Sequence, residues 1–113
     1  MSQITTHVLD TSRGLPAAGI PIVLSHWQAA EWIEIASGIT NADGRVSDLL
    51  PASQRLSEGR YRLRFSLDGY FIEHQQSVFY PQVDIECNLS GEGEHYHIPL
   101  LLSPFGYSTY RGS

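Results

Sequence analysis

Residues 95–113 read HYHIPLLLSPFGYSTYRGS, and this run gives the clearest indication of how the chain folds. Two segments, His95–Leu102 and Phe105–Arg111, flank a Pro-Phe-Gly turn, which predicts a pair of adjacent strands. Side chains two residues apart on a strand project from the same face, so His95 and His97 share one face. The returning strand can place the tyrosine and arginine of the Tyr-Arg-Gly-Ser ending near these imidazoles. We therefore expect a site to form here.

The rest of the chain consists of short alternating segments separated by turn residues, which favours an all-β sandwich. The Asn41–Gly44 turn contains an Asp-Gly pair that supplies a left-handed backbone position. Alternation lapses between Asp68 and Gln76, where the pattern is compatible with a short helix. At 113 residues, the chain has the size of a single domain spanning residues 1–113. The other predicted strands are Ile4–Asp10, Ile20–Gln28, Glu31–Ile39, Arg45–Asp48, Gly59–Leu67 and Val83–Ser90.

Composition argues against several classes of function. The net charge is −5, and all seven basic residues are arginines. Three of these arginines alternate with apolar residues in the segment Arg60–Arg64. This pattern is typical of a solvated strand face rather than a nucleic-acid patch. The single cysteine, Cys87, excludes an internal disulfide and is expected to be a small buried residue. No apolar run approaches the ~20 residues of a membrane span, and no secretory signal is evident, so we expect a cytoplasmic protein.

Three motifs together resemble a known family. Thr6–Asp10 reads THVLD, Asn41–Arg45 reads NADGR, and the chain ends in YRGS. In this order and over nearly the whole chain, they resemble the transthyretin-like 5-hydroxyisourate hydrolases, enzymes of purine (urate) catabolism. The resemblance implies a transthyretin-like, two-sheet antiparallel β-sandwich with one short helix in the 68–76 segment. The YRGS ending is the most specific motif, because it separates these hydrolases from the hormone carrier transthyretin.

The resemblance also implies roles for individual residues. Taken alone, a histidine on a strand is more often structural, and an arginine after a turn is more often a surface residue. The family pattern instead places His7, Arg45 and His97 at catalytic positions, and His7, Arg45, Tyr110 and Ser113 at substrate-binding positions. Imidazoles can take a proton from water near neutral pH, and a guanidinium can stabilise a developing oxyanion. His95 could act directly or in support, and Arg111, of opposite parity to Tyr110, is expected to be structural.

Three functional hypotheses remain to be compared. The first is hydrolysis of the small molecule 5-hydroxyisourate without a metal or other cofactor, as the resemblance implies. The second is a transthyretin-like carrier that binds an aromatic ligand in a channel between subunits, although bulky polar residues would narrow such a channel. A structural adaptor would leave the converging polar residues unexplained. A three-imidazole zinc site at His7, His95 and His97 is the metal-dependent alternative to the first. The sequence contains no Gly-rich phosphate-binding loop, so a nucleotide cofactor is not expected.

The segment around Pro99 predicts an assembly. Ile98, Leu100 and Leu102 occupy one face of the strand, and Pro99 and Leu101 make the other face apolar as well. In an antiparallel strand with one face in water, apolar and polar side chains should alternate. Because both faces are apolar here, we expect the second face to be covered by another copy of the chain. Pro99 lacks an amide proton and predicts a local irregularity in the strand. The resemblance implies a homotetramer, a dimer of dimers with the sites in the channel between the dimers.

Overall fold

The computed structural model describes all 113 residues and is built mainly of strands. All expected strands except Arg45–Asp48 are present in whole or in part. In chain order the elements are β1 (Ile4–Thr5), β2 (Val8–Asp10), β3 (Leu15–Pro16), β4 (Pro21–Gln28), β5 (Glu31–Ile39), β6 (Gly59–Ser66), α1 (Asp68–Glu73), β7 (Gln82–Leu89), β8 (Tyr96–His97), β9 (Leu100–Ser103) and β10 (Gly106–Thr109).

The strands form two layers around one core. One sheet is antiparallel throughout, in the order β5-β4-β6-β7, and the other has the order β10-β9-β2-β3. The short β1-β8 pair extends the second sheet, since β1 leads into β2 and β8 leads into β9. Twenty-two buried apolar residues from both layers form a single cluster. The two-sheet sandwich is therefore confirmed, although the β1–β8 and β2–β9 pairings are parallel within an otherwise antiparallel fold.

Strand β6 shows how the sequence pattern produces the sandwich. Tyr61, Leu63 and Phe65 are each no more than 1% exposed, and the arginines between them lie on the outer face. There Arg64 forms a two-point ion pair with Asp84, with N–O distances of 2.8 and 3.0 Å. The arginine cluster is thus one polar face of a strand, as predicted.

The single helix fixes the end of the strand that carries the THVLD motif. Helix α1 falls inside the predicted 68–76 segment, and the Tyr70 hydroxyl donates a 2.6 Å hydrogen bond to the buried Asp10 carboxylate. Burial raises the pKa of Asp10, but hydrogen bonds from Tyr70, Ser12 and the Arg13 amide outweigh it and hold the pKa below its ordinary value. The helix has six residues, and no helix in the chain is long and apolar enough to cross a membrane.

Two predicted strands are each divided into two short ones. Ile4–Asp10 is interrupted between β1 and β2, and His95–Leu102 is interrupted between β8 and β9. At the first break the Thr6 hydroxyl donates a 2.6 Å hydrogen bond to the Ile98 carbonyl, so a side chain takes the place of a backbone partner. The second break falls at Ile98 and Pro99, and the irregularity expected at Pro99 is confirmed.

One predicted strand was wrong, and one strand was not predicted. Arg45–Asp48 is not a strand, because Arg45 makes only an isolated bridge to His7 and the chain then turns. Leu15–Pro16, which alternation did not reveal, pairs with β2 at the edge of its sheet. An edge position tolerates a proline, since the missing amide proton faces no neighbouring strand.

Candidate functional site

A cleft of about 510 Å³ lies where β1 and β8 meet the loop that follows β5. It contains four of the residues that sequence analysis proposed for the site or its surroundings, together with threonine and serine side chains that were not proposed. The principal polar side chains lining it are Thr5, Arg45, Ser47, His95, His97 and Ser113.

The parallel β1–β8 pairing places a threonine between two histidines. Thr5 is the partner of His97 in the ladder, and its hydroxyl oxygen lies 2.8 Å from His97 Nδ1. The same oxygen lies 3.0 Å from Nε2 of His95. His97 Nε2 makes no hydrogen bond within the chain and is the ring nitrogen left free.

The electrostatics of the cleft favour a neutral His97. Burial of the ring lowers its pKa below the ordinary value, and the positive charge of Arg45 and the neighbouring rings of His95 and His7 lower it further. Because the neutral imidazole has an available lone pair, His97 can accept a proton at neutral pH.

A tight turn positions Arg45 at the cleft. Gly44 has φ of +74°, and a Cβ there would lie 2.4 Å from the Val8 carbonyl oxygen, so only glycine fits. The Asn41 side-chain oxygen accepts hydrogen bonds from the Asp43 and Arg45 amides at 2.9 and 3.1 Å. The turn predicted at Asn41–Gly44 is confirmed, and it brings Arg45 opposite His7.

Two proposed residues do not line this cleft. His7 is half-buried beside it, and its backbone forms an isolated antiparallel β-bridge with Arg45. Tyr110 is 57% exposed and lines a separate pocket of about 240 Å³ together with Cys87. Within one chain, therefore, Tyr110 is not part of the same cleft as His97, and its assignment stays a prediction.

The two residues expected to be structural occupy structural positions. The Arg111 guanidinium lies over the Tyr96 ring at 4.6 Å, in the arrangement of a cation–π contact. Cys87 packs against the core, and burial raises the pKa of its thiol, although Arg111 partly offsets this increase. A thiol with a raised pKa is a poor nucleophile at neutral pH.

The C-terminal Gly112 allows His97 to take its position. The Gly112 amide donates a 2.8 Å hydrogen bond to the His97 carbonyl. A Cβ on Gly112 would lie only 2.6 Å from His97 Cδ2. The glycine of the YRGS motif thus packs directly against the imidazole.

We predict that Gly112→Ala displaces the His97 ring and lowers turnover by about ten- to a hundred-fold, because small errors of position are costly in catalysis. Gly69→Ala is the matched control, since a Cβ at Gly69 meets no atom within 4 Å. Steady-state kinetics on both variants, with circular dichroism to verify folding, would test this. Equal turnover in the two variants would contradict the role assigned to the contact.

A larger cleft elsewhere lacks this chemistry. It measures about 820 Å³ and is lined by residues such as Trp27, Glu58, Arg60 and Arg111, with no histidine. Nor does any group of three or more His, Cys, Asp or Glu side chains have the arrangement of a metal site, so the three-imidazole arrangement is not formed within the chain. The smaller cleft is therefore the candidate active site.

Sequence reasoning missed Thr5 and Ser47 as residues of the cleft. Thr5 could have been recognised from its position, because it lies two residues before His7 on the same face of the predicted strand. Ser47 gave no such signal, since it follows the turn in a segment wrongly expected to be a strand.

Comparisons with known proteins identify the family and the fold. The HIUase/Transthyretin family model matches residues 4–112. The 5-hydroxyisourate hydrolase of Mus musculus is 46% identical, and the match covers 99% of this chain and 96% of the mouse protein. The Klebsiella pneumoniae 5-hydroxyisourate hydrolase structure is 34% identical with a TM-score of 0.82, covering 97% of this chain and 98% of that one. Sea bream transthyretin in complex with thyroxine is 30% identical with a TM-score of 0.91, covering 98% and 95%.

Proposed function

The chain belongs to the HIUase/Transthyretin family, and we propose that within this family it is a 5-hydroxyisourate hydrolase of purine (urate) catabolism. The observation that carries the proposal is the cleft in which a neutral His97 lies beside Arg45 and His95. We take residues 1–113 as one hydrolase domain. In the reaction, water adds to a ring carbonyl of 5-hydroxyisourate and a C–N bond breaks. The six-membered ring opens to 2-oxo-4-hydroxy-4-carboxy-5-ureidoimidazoline.

In the proposed mechanism His97 is the general base. Its Nδ1 is occupied by the contact with Thr5, so Nε2 is the nitrogen available to take a proton from the attacking water. The lowered pKa keeps this nitrogen unprotonated at neutral pH. To His7, which lies beside the cleft and is joined to Arg45 by a backbone β-bridge, we assign the role of orienting the water or protonating the leaving nitrogen.

Arg45 binds and polarises the substrate. Its guanidinium is a planar set of donors that matches the carbonyl and nitrogen edge of a purine-derived ring. The same group can stabilise the negative charge that develops on the attacked carbonyl oxygen. Because the turn fixes the Arg45 backbone on both sides, little reorganisation is needed when substrate binds.

We also propose that the complete site forms in a homotetramer built as a dimer of dimers. Leu101 is half-buried on the outer face of its sheet, paired with Leu9 and Ser108, and β10 is the sheet edge. An edge strand beside an apolar face favours pairing with an identical strand. In such an assembly Tyr110 would be supplied to the channel, and Ser113 already lines the cleft.

A cytoplasmic location is part of the proposal. Its support is the lone Cys87, which has no partner for a disulfide and is compatible with a reducing compartment.

Multiple turnover separates the enzyme from the carrier. The high TM-score to transthyretin reflects the shared fold, and fold alone does not define function. With freshly generated 5-hydroxyisourate in large excess over protein, a hydrolase accelerates the ultraviolet decay of the whole pool. A carrier affects at most a stoichiometric amount of ligand. We expect acceleration of the whole pool, and decay at the spontaneous rate would rule out the proposed function.

Arg45→Ala is expected to give a slower enzyme with a larger KM, because binding and charge stabilisation are lost together. The Arg45 charge lowers the pKa of His97, so its removal raises that pKa. The acid limb of the kcat profile, where His97 becomes protonated, should therefore move to higher pH. Arg60→Ala, on the outer face of β6, is the control. An unshifted acid limb in the Arg45 variant would show that the Arg45 charge does not control the protonation of His97.

A further inference from the structure

Thr5 connects the two histidines of the cleft through a single oxygen. Its hydroxyl lies within hydrogen-bonding distance of His97 Nδ1, at 2.8 Å, and of His95 Nε2, at 3.0 Å. A hydroxyl carries one proton and can donate to only one of these nitrogens. If it donates to one ring, the other ring must supply its own N–H, so the protonation states of the two rings depend on each other.

The proposed function selects one of the two arrangements. A general base needs a free lone pair on His97 Nε2, which places the ring proton on Nδ1. The Nδ1–H then donates to Thr5, and the Thr5 hydroxyl donates to His95 Nε2. We propose that Thr5 and His95 form a relay that fixes this tautomer of His97 and moves positive charge from His97 to His95. This inference rests on the proposed hydrolase function.

The relay balances in protons. When His97 Nε2 takes a proton from water, the Nδ1–H bond breaks and an O–H bond forms on Thr5. The original Thr5 O–H bond breaks as an N–H bond forms on His95 Nε2. His97 is then neutral with a proton on Nε2, and His95 is the imidazolium. When Nε2 delivers its proton to the leaving nitrogen, the return of the two relay protons restores the starting state.

The surroundings of the two rings explain why this transfer helps. A cation on His97 is disfavoured by burial and by the charge of Arg45. His95 is exposed and can be solvated by water when it carries the charge. The other ionisable groups near the rings include His7, which also disfavours the His97 cation, and Asp43 and the terminal groups of Met1 and Ser113, which line the cleft. Moving the charge to His95 therefore places it in the better solvated position.

Thr5→Val tests the relay because it removes the hydroxyl and keeps the shape of the side chain. We expect kcat to fall by about ten- to a hundred-fold, the effect typical of losing a supporting hydrogen bond, with little change in KM. Nitrogen-15 NMR of the imidazoles should show His97 as the Nδ1–H tautomer in the wild type and a shift towards Nε2–H in the variant. Thr5→Ser should restore both properties.

Two further variants separate a relay from simple structural support. Thr11→Val removes a different hydroxyl, one that donates to the Leu102 carbonyl, and should leave the tautomer and kcat unchanged. His95→Asn should lower kcat as Thr5→Val does, and the double variant should be no slower than either single one. Additive losses would show two independent effects and would overturn the relay.

The tautomer measurement does not depend on turnover. If the wild type fails to hydrolyse 5-hydroxyisourate, the proposed function fails, and the NMR signals still report whether Thr5 fixes His97. A wild-type His97 in the Nε2–H form, or a Thr5→Val variant with unchanged tautomer and unchanged kcat, would overturn the inference.

Discussion

His97→Asn is expected to lower kcat by about two to four orders of magnitude, the usual contribution of general acid–base catalysis. Asparagine preserves much of the side-chain volume and cannot accept the proton from water. The ring is only half-buried and lies at a cleft, so the variant should remain folded. Steady-state kinetics with thermal unfolding on the same preparation would measure both properties.

His7→Asn is expected to have an effect of the same order, because the leaving nitrogen or the water loses its partner. His74→Asn is the matched control: this histidine lies at the end of α1, with its ring centroid 4.4 Å from that of Tyr70, and it does not line the cleft. Unchanged turnover in both site variants would show that the chemistry has been assigned to the wrong residues.

Leu101→Glu is expected to abolish both assembly and turnover. Leu101 lies on the outer face of β9 between Leu9 and Ser108 of the neighbouring strands, and a carboxylate there would be buried without a partner when two copies associate. Light scattering should report a smaller species, and the activity of the wild type should fall on dilution below the dissociation constant.

Ile72→Glu distinguishes assembly from a general effect of charge. Ile72 is 67% exposed on the helix, so the same substitution there should leave the assembly and the activity intact. A fully active monomer, in the wild type or in the Leu101 variant, would show that the site is complete within one chain.

Much of the fold could be predicted because the sequence pattern is local. Alternation in β6 identified its buried face, and the lapse between Asp68 and Gln76 was compatible with the short helix that the resemblance implied. The break between β1 and β2 and the break between β8 and β9 could be anticipated only in part. Proline marks the break at Pro99. The break after Thr5 instead depends on the hydrogen bond from the Thr6 hydroxyl to the carbonyl of Ile98, which lies 92 residues away in the sequence. Alternation within a segment carries no information about such a distant contact.

The site was predicted less completely than the fold. Arg45, His97 and Ser113 were proposed and do line one cleft, because the turn at Asn41 and the parallel β1–β8 pairing bring distant segments together. The sequence pattern places Thr5 on the face that carries His7, but its contacts with His95 and His97 arise only from that pairing, so Thr5 was missed. Tyr110 lies outside the cleft of the single chain, and its role in the site stays a prediction that rests on the proposed assembly.

The most direct test of the account measures the decay of fresh 5-hydroxyisourate with the wild-type chain in the presence of a metal chelator. Histidine-assisted hydrolysis by the residues of the cleft predicts decay well above the spontaneous rate, undiminished by chelator, unaltered by added zinc, and lost in His97→Asn. Decay at the spontaneous rate in chelator, restored by zinc, would contradict the account.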